Sequence, residues 1–274
     1  MDNSLIFIKL GGSLITDKSS PGVVRREIID SACREIQEYL ARSPEVKLIL
    51  GHGSGSFGHV PAEVHRTRAG VTSSEGWRGF AEVWQQAARL NWILSERMAA
   101  AGIPVISFPP SATVTARNRA ITRWETKPIL YALNAGLVAV TYGDVVFDEA
   151  LGGTVLSTED LFDYLARTFS PARILLAGNE EGVWLDFPAR SQLIRDIKPE
   201  DLESILPHLG SAEGFDVTGG MAEKVRRMAV LVGELPSLEA VIFSGARPEN
   251  FREALSGGPI GTRIASLPRG RSSD

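Results

Sequence analysis

Short apolar runs alternate along the chain with stretches of helical period, a pattern that predicts an α/β protein. Leu5–Leu10 reads as a buried strand that runs into Gly11-Gly12-Ser13. Ile28, Ala32, Ile36 and Leu40 recur every four residues, so Arg25–Arg42 is predicted as a helix with one apolar stripe. Val46–Leu50 is the next strand and leads into GHGSGSFGH. Ser73 or Ser74 caps a long helix that stops near Gly102, with Pro104 just beyond it. Its positions Trp77, Phe80, Trp84, Ala87, Asn91, Leu94, Met98 and Ala101 fall on one face.

Further on, Val105–Phe108 reads as a strand, Pro128–Ala135 as a short helix stopped by Gly136, and Leu137–Tyr142 as a strand. Two β-rich runs flank Glu149–Gly153, which predicts a hairpin. Thr158 is expected to cap a helix to about Arg167, followed by strand Arg173–Ala177. Gly219-Gly220 opens a helix to about Val232, and Glu239–Phe243 is a strand. No repeat or linker interrupts the series, so the expected division is into two lobes of one domain, 1–155 and 156–274.

Composition narrows the function. The 274 residues are 43% hydrophobic and 23% charged, as in ordinary globular chains, and 27 glycines cluster in a few loops. A net charge of −4 offers no basic face, which argues against nucleic acid. An anionic ligand would have to be held by a few placed cations and backbone N–H groups. Cys33 is the sole cysteine, which excludes a disulfide framework and fits a reducing cytoplasm. No apolar stretch reaches membrane-spanning length, and Leu5–Ile8 is too short for a signal peptide.

The recurring chemical feature is strand, glycines, helix, at Gly11–Ser13, Gly51–Gly58 and, opening a later helix, Gly219-Gly220. Such junctions aim free N–H groups at an anion. Lysines accompany them: Lys9 inside an apolar strand, Lys18 after the first turn, and Lys224 one turn into the last helix. Gly53–Gly58 matches G-x-G-x-x-G but lacks the acid that closes a second strand in dinucleotide folds. His59 stands where a Walker-A lysine belongs, and neither Ser54 nor Ser56 sits in G-x-S-x-G. His59 ends the second glycine loop, where an imidazole can donate to a phosphate oxygen in either protonation state. His52, His65 and His208 have no metal-ligand spacing, and no metal site is expected among the side chains.

Three segments carry a resemblance. KLGGSLITDK (9–18), GHGSGSFGH (51–59) and DVTGGMAEK (216–224) resemble, in order, signature segments of isopentenyl phosphate kinases, a branch of the amino acid kinase superfamily. The likeness continues through LNWILSERMAAAGIPVISFPPS, VTYGDVVFDE, LSTEDLFDYLA and GARPENF, so it covers nearly the whole chain. It implies a three-layer αβα sandwich with a mostly parallel central sheet, an acceptor-binding first lobe, an ATP-binding second lobe and a homodimer. The implied reaction is isopentenyl phosphate plus ATP giving isopentenyl diphosphate plus ADP, with Mg²⁺, in isoprenoid biosynthesis.

Carried onto this chain, the resemblance gives catalytic roles to Lys9, Lys18, His59 and Lys224. Lys9 with Gly11, Gly12 and Ser13 would cradle the β- and γ-phosphates, and Lys18 would stabilise the transferring phosphoryl group. ATP contacts are also expected at Ser54, Asp160, Gly178, Asp216, Gly219, Gly220 and Lys224. The acceptor falls to Gly53, Gly55, His59, Phe80, Trp84 and Thr158. Two departures stand out. Ser54 occupies the middle of a loop that is often all glycine, at a cost if the backbone there needs positive φ. Ser157-Thr158-Glu159-Asp160 replaces S-G-D-D, which leaves open whether Glu159 or Asp160 orients the lysines. The rival readings are a kinase for another small phosphate or phosphonate, similar to the fosfomycin kinases, and a non-catalytic nucleotide sensor.

Overall fold

The computed structural model describes residues 4–17, 19–209 and 220–267. The strands are β1 (Leu5–Leu10), β2 (Lys47–His52), β3 (Val105–Ser107), β4 (Val114–Arg117), β5 (Ala120–Trp124), β6 (Val138–Tyr142), β7 (Asp144–Asp148) and β8 (Gly152–Leu156). The second half of the chain adds β9 (Arg173–Gly178), β10 (Val183–Trp184), β11 (Leu193–Ile194), β12 (Asp196–Ile197), β13 (Glu239–Ser244) and β14 (Thr262–Ala265). The helices are α1 (Gly12–Ile15), α2 (Arg26–Arg42), α3 (Gly55–Val64), α4 (Ser74–Ala100) and α5 (Pro110–Thr113). They continue with α6 (Lys127–Asn134), α7 (Thr158–Phe169), α8 (Leu202–Ile205), α9 (Gly220–Glu234) and α10 (Asn250–Leu255).

One eight-stranded sheet runs in the order β12-β14-β13-β9-β1-β2-β6-β3, parallel except between β13 and β14. It passes through both halves of the chain without a break. Side chains alternate across it. Leu5 and Phe7 of β1 face the layer of α6, α7 and α9, while Ile6, Ile8 and Leu10 face the layer of α2, α4 and α10. This is the three-layer α/β class that the sequence pattern and the resemblance led to. The α4 stripe meets the sheet through Leu90, Leu94 and Met98. The helix is capped by Ser73, whose hydroxyl accepts from the Gly76 N–H at 3.0 Å.

Three local features differ from the sequence reading. First, within GHGSGSFGH only Gly53 and Ser54 form a loop, because β2 extends to His52 and α3 begins at Gly55. Second, α7 is capped by Ser157, not Thr158. The Ser157 hydroxyl accepts from the Asp160 N–H at 3.2 Å, and the Asp160 carboxylate accepts from the Ser157 N–H at 2.7 Å. Third, an unexpected hairpin, β4–β5, turns at Asn118-Arg119, both at positive φ (51° and 67°). Asp148 of β7 accepts from both turn N–H groups, at 3.0 and 2.7 Å, and from those of Ala150 and Leu151, so one buried carboxylate fixes two turns. The β4, β5, β7 and β8 strands form a separate four-stranded sheet beside the main one.

β1 is flanked by β2 on one side and by β9, met much later in the chain, on the other. The crevice outside the carboxyl ends of β1, β2 and β9 is therefore the topological switch point, where open α/β sheets bind ligands.

Candidate active site

At that crevice the first two glycine junctions touch. Gly11 closes against β9, its N–H donating to the Ala177 carbonyl at 2.8 Å. A Cβ on Gly12 would lie 2.6 Å from the Gly55 Cα, and one on Gly53 would lie 2.9 Å from the Gly12 nitrogen. The loops are thus in backbone contact, and only glycine permits the approach. Thr16 ties them further: its hydroxyl donates to the Gly12 carbonyl at 2.8 Å and accepts from the Ser56 N–H at 3.0 Å. The N–H groups of Gly12, Ser13, Ser54 and Gly55 take no acceptor among the described residues. The result is a compact set of backbone donors at the start of α1 and α3. Ser54 sits at φ −73°, an ordinary right-handed conformation, so replacing glycine there carries no backbone strain. The positive φ falls on Gly55.

Lys9 emerges from β1 beneath these loops and pairs with Glu159 at the start of α7, both side chains nearly buried. Burial alone would raise the Glu159 carboxyl. The charges of Lys9 and Lys224 outweigh it and hold the group at about 2. Ser157, Glu159, Gly220, Glu223, Lys224 and Arg227 line one depression beside this pair. Asp160 is committed elsewhere: its two oxygens serve the α7 cap and an ion pair with Arg227. Of the two acids, Glu159 is the one paired with Lys9, and the Lys224 charge also acts on it. Gly178 ends β9 opposite Gly11, and the next residue, Asn179, donates its side-chain amide to the Ser13 carbonyl at 3.1 Å.

His59 lies one turn into α3, four residues after Gly55, so both share a face of the helix that starts at the donor set. Thr158 does not face the crevice. It is 1% exposed, and its hydroxyl donates to the His52 carbonyl at 2.7 Å while accepting from the Gly143 N–H at 3.1 Å. It braces the loop from behind. Phe80 belongs to a small apolar cluster with Val71, Val83 and Val145, distinct from the two cores on either side of the main sheet. Trp77 and Phe147 cover it, with ring centroids 5.2 and 5.4 Å from that of Phe80. Trp84, one turn beyond Phe80, is exposed. Lys18, Asp216 and Gly219 lie outside the described residues. Thr16, Asn179 and Arg227 escaped the sequence reading. A hydroxyl four residues after the first glycines and an arginine three after Lys224 were the available signals.

The glycine cradle, the Lys9–Glu159 pair with Lys224 beside it, and the switch-point location define a phosphate-handling α/β protein. The chain matches the amino acid kinase family over residues 4–244, and it belongs to that family. Within it, the chain is similar to the isopentenyl phosphate kinase of Methanothermobacter thermautotrophicus, 34% identical over 272 residues, covering 95% of this chain and 98% of the relative. It is similar also to that of Methanocaldococcus jannaschii, 30% identical over 268 residues, covering 95% and 98%. A crystal structure of an isopentenyl phosphate kinase superposes with a TM-score of 0.80 at 30% identity, covering 95% of this chain and 100% of that one.

Proposed function

We propose that the protein transfers the γ-phosphoryl group of ATP to isopentenyl phosphate, giving isopentenyl diphosphate and ADP. The observation that carries this reading is the meeting of two glycine loops over the Lys9–Glu159 pair, with Lys224 nearby, beside a separate apolar cluster. Phosphoryl transfer needs positioning and charge neutralisation more than covalent chemistry. Cations and N–H donors supply both, and the already ionised acceptor phosphate needs no base.

In this scheme Gly12 and Ser13 bind the β- and γ-phosphates through backbone N–H groups, and Gly11, whose own N–H is taken by the Ala177 carbonyl, shapes the turn that presents them. Lys9, held by Glu159, and Lys224, whose charge acts on the same carboxylate, face the transferring group, joined by Lys18. Gly178, Asp216, Gly219 and Gly220 complete the ATP side, with residues 156–274 as the ATP lobe. Asp160 acts through the α7 cap and Arg227. In the 1–155 lobe Gly55 and His59 hold the acceptor phosphate together with the N–H of Ser54, a residue the resemblance assigned to ATP, while Gly53, whose N–H and carbonyl are both engaged within the protein, sets the loop, and Thr158 supports it. No group of three or more metal-ligating side chains occurs among the described residues. Mg²⁺ would therefore arrive on the ATP phosphates, keeping much of its water. Bound there, it would screen phosphate charge.

The Phe80 cluster, next to α3, favours an isoprenoid tail over a compact phosphonate, because its side chains are all apolar. Among the described residues no helix is long and apolar enough to cross a membrane. The reading includes a cytoplasmic location and a homodimer, the latter supported by β3 standing at the edge of the main sheet among the described residues and by the exposed Trp92 and Ile106. ADP release coupled to a colour reaction, with isopentenyl phosphate as acceptor, tests the proposal. Turnover on a phosphonate but not on isopentenyl phosphate overturns it, as does ATP binding without turnover.

Two variants refine the acceptor site. His59→Ala loses a hydrogen bond to a charged group, so kcat/KM for isopentenyl phosphate falls roughly 30-fold, about 2 kcal/mol, and His59→Gln recovers part. Phe80→Ala opens the cluster. Each further CH₂ buried is worth about 0.8 kcal/mol, so kcat/KM for geranyl phosphate rises relative to isopentenyl phosphate. Both substrates are assayed on protein with an intact melting transition. An unchanged ratio returns Phe80 to a packing role.

A further inference from the structure

Behind Gly53 lies a buried polar chain to which the scheme above gives no part. His52, at the end of β2, is fully buried, and its ring stacks on Tyr142 with centroids 5.1 Å apart and planes 10° apart. Nδ1 is 3.1 Å from the Gly53 carbonyl oxygen. Nε2 is 3.4 Å from the Asn91 amide oxygen, and the amide nitrogen is 2.9 Å from the Ser107 hydroxyl. Asn91 interrupts the apolar stripe of α4 at a site only 7% exposed. Buried polar groups cost free energy unless each is hydrogen-bonded.

That requirement fixes the polarity of the chain. The Gly53 carbonyl only accepts, so Nδ1 carries the ring proton. Burial pushes the imidazole down to about 4, so at neutral pH Nε2 is a bare acceptor. An amide oxygen facing it would set acceptor against acceptor. A half-turn of the amide resolves this: its NH₂ donates to Nε2, and its oxygen accepts from the Ser107 hydroxyl. The order is then Ser107 to Asn91 to His52 to the Gly53 carbonyl, each donating to the next.

The Gly53 N–H donates to the Leu10 carbonyl at 3.1 Å, so both polar groups of Gly53 are engaged. A trans peptide is planar, with C=O and the following N–H pointing opposite ways. Holding the Gly53 carbonyl against the buried ring therefore turns the Ser54 N–H to the open side of the loop. We propose that His52 and Asn91 are positioning residues, and that the Ser107–Asn91–His52 chain holds the Gly53 peptide in the plane that presents the Ser54 N–H to the bound acceptor phosphate. The inference rests on the acceptor-loop reading above.

The test has an arm that needs no turnover. ¹⁵N spectra of the imidazoles in the free wild-type protein, with the His52 ring assigned through its correlations to its own backbone and to the stacked Tyr142 ring, should show His52 protonated at Nδ1 and bare at Nε2 near neutral pH. A proton on Nε2 overturns the proposal, even if every variant fails to fold. For activity, Asn91→Leu keeps the volume and removes the amide, and His52→Phe keeps a ring on Tyr142. Each should raise KM for isopentenyl phosphate about tenfold, with kcat and ATP KM within about twofold. The double variant should match the singles, because the chain acts as a unit. Multiplying effects, an unchanged acceptor KM, or losses confined to kcat overturn the proposal. Wild-type protein that does not phosphorylate isopentenyl phosphate refutes the assigned acceptor instead, and leaves the tautomer result standing.

Discussion

Lys9→Met will lower kcat by roughly 10²- to 10³-fold, the scale for removing one preorganised charge-stabilising donor. It will also destabilise the fold by about 3–5 kcal/mol, because breaking a buried pair leaves one charge uncompensated. The two losses have different signatures. In the wild type, Glu159 is held at about 2, against 4.5 for an ordinary glutamate. A depressed carboxyl contributes stability that is full above 4.5 and is lost as pH falls from there through about 2. With Lys9 gone, burial is opposed by the Lys224 charge and a backbone hydrogen bond alone, and the Glu159 carboxyl rises. Protonation then relieves the variant, so its deficit in denaturant midpoint is larger at pH 8 than at pH 5. Lys9→Met combined with Glu159→Gln should restore most of the stability and none of the turnover. If the double variant regains kcat, or Lys9→Met turns over at the wild-type rate, the pair is structural only.

What could be read in advance followed physical rules that act over short range. β1 and α2 declare themselves by period, and the stripe Leu90, Leu94 and Met98 lies where a helix docking on a sheet requires. Lys9 was legible because a lysine in an apolar strand needs a partner. The partner was not, since Glu159 and Asp160 are adjacent and only the direction of α7 sends one to Lys9 and the other to Arg227. α3 was hidden because glycines and Pro61 are poor helix formers, and contacts with α1 and α4 hold it. The β4–β5 turn carries no glycine, and its positive φ values are stabilised by Asp148, some thirty residues away in sequence. The Ser157 cap was available in principle, because Ser-x-x-Asp fits a capping box better than Thr158 fits one. His52 and Asn91 meet only in the fold, across 39 residues.

Gly12→Ala will lower kcat by about 10²-fold while the protein stays folded. The added methyl would sit 2.6 Å from the Gly55 Cα and 3.3 Å from the Gly53 carbonyl carbon, and neither neighbour is a side chain that can swing away. The two loop backbones must separate by about 1 Å to reach ordinary van der Waals contact. Overpacking of this kind costs about 1–3 kcal/mol of stability, which a domain of this size tolerates. Catalysis is less forgiving, because the nucleotide loop and the acceptor loop set the approach of two phosphates. A displacement of about 1 Å in such geometry costs on the order of 10² in rate. Gly136→Ala is the comparison. Gly136 also resists a side chain, at φ +77°, but it follows α6 with no atom near its would-be Cβ. That variant should lose about 1 kcal/mol of stability and keep its kcat. Measuring kcat at saturating ATP and acceptor, with the melting transition of each variant, separates loop displacement from plain destabilisation. Gly12→Ala within threefold of the wild-type kcat would mean that the loop contact is packing and that the phosphates are aligned elsewhere.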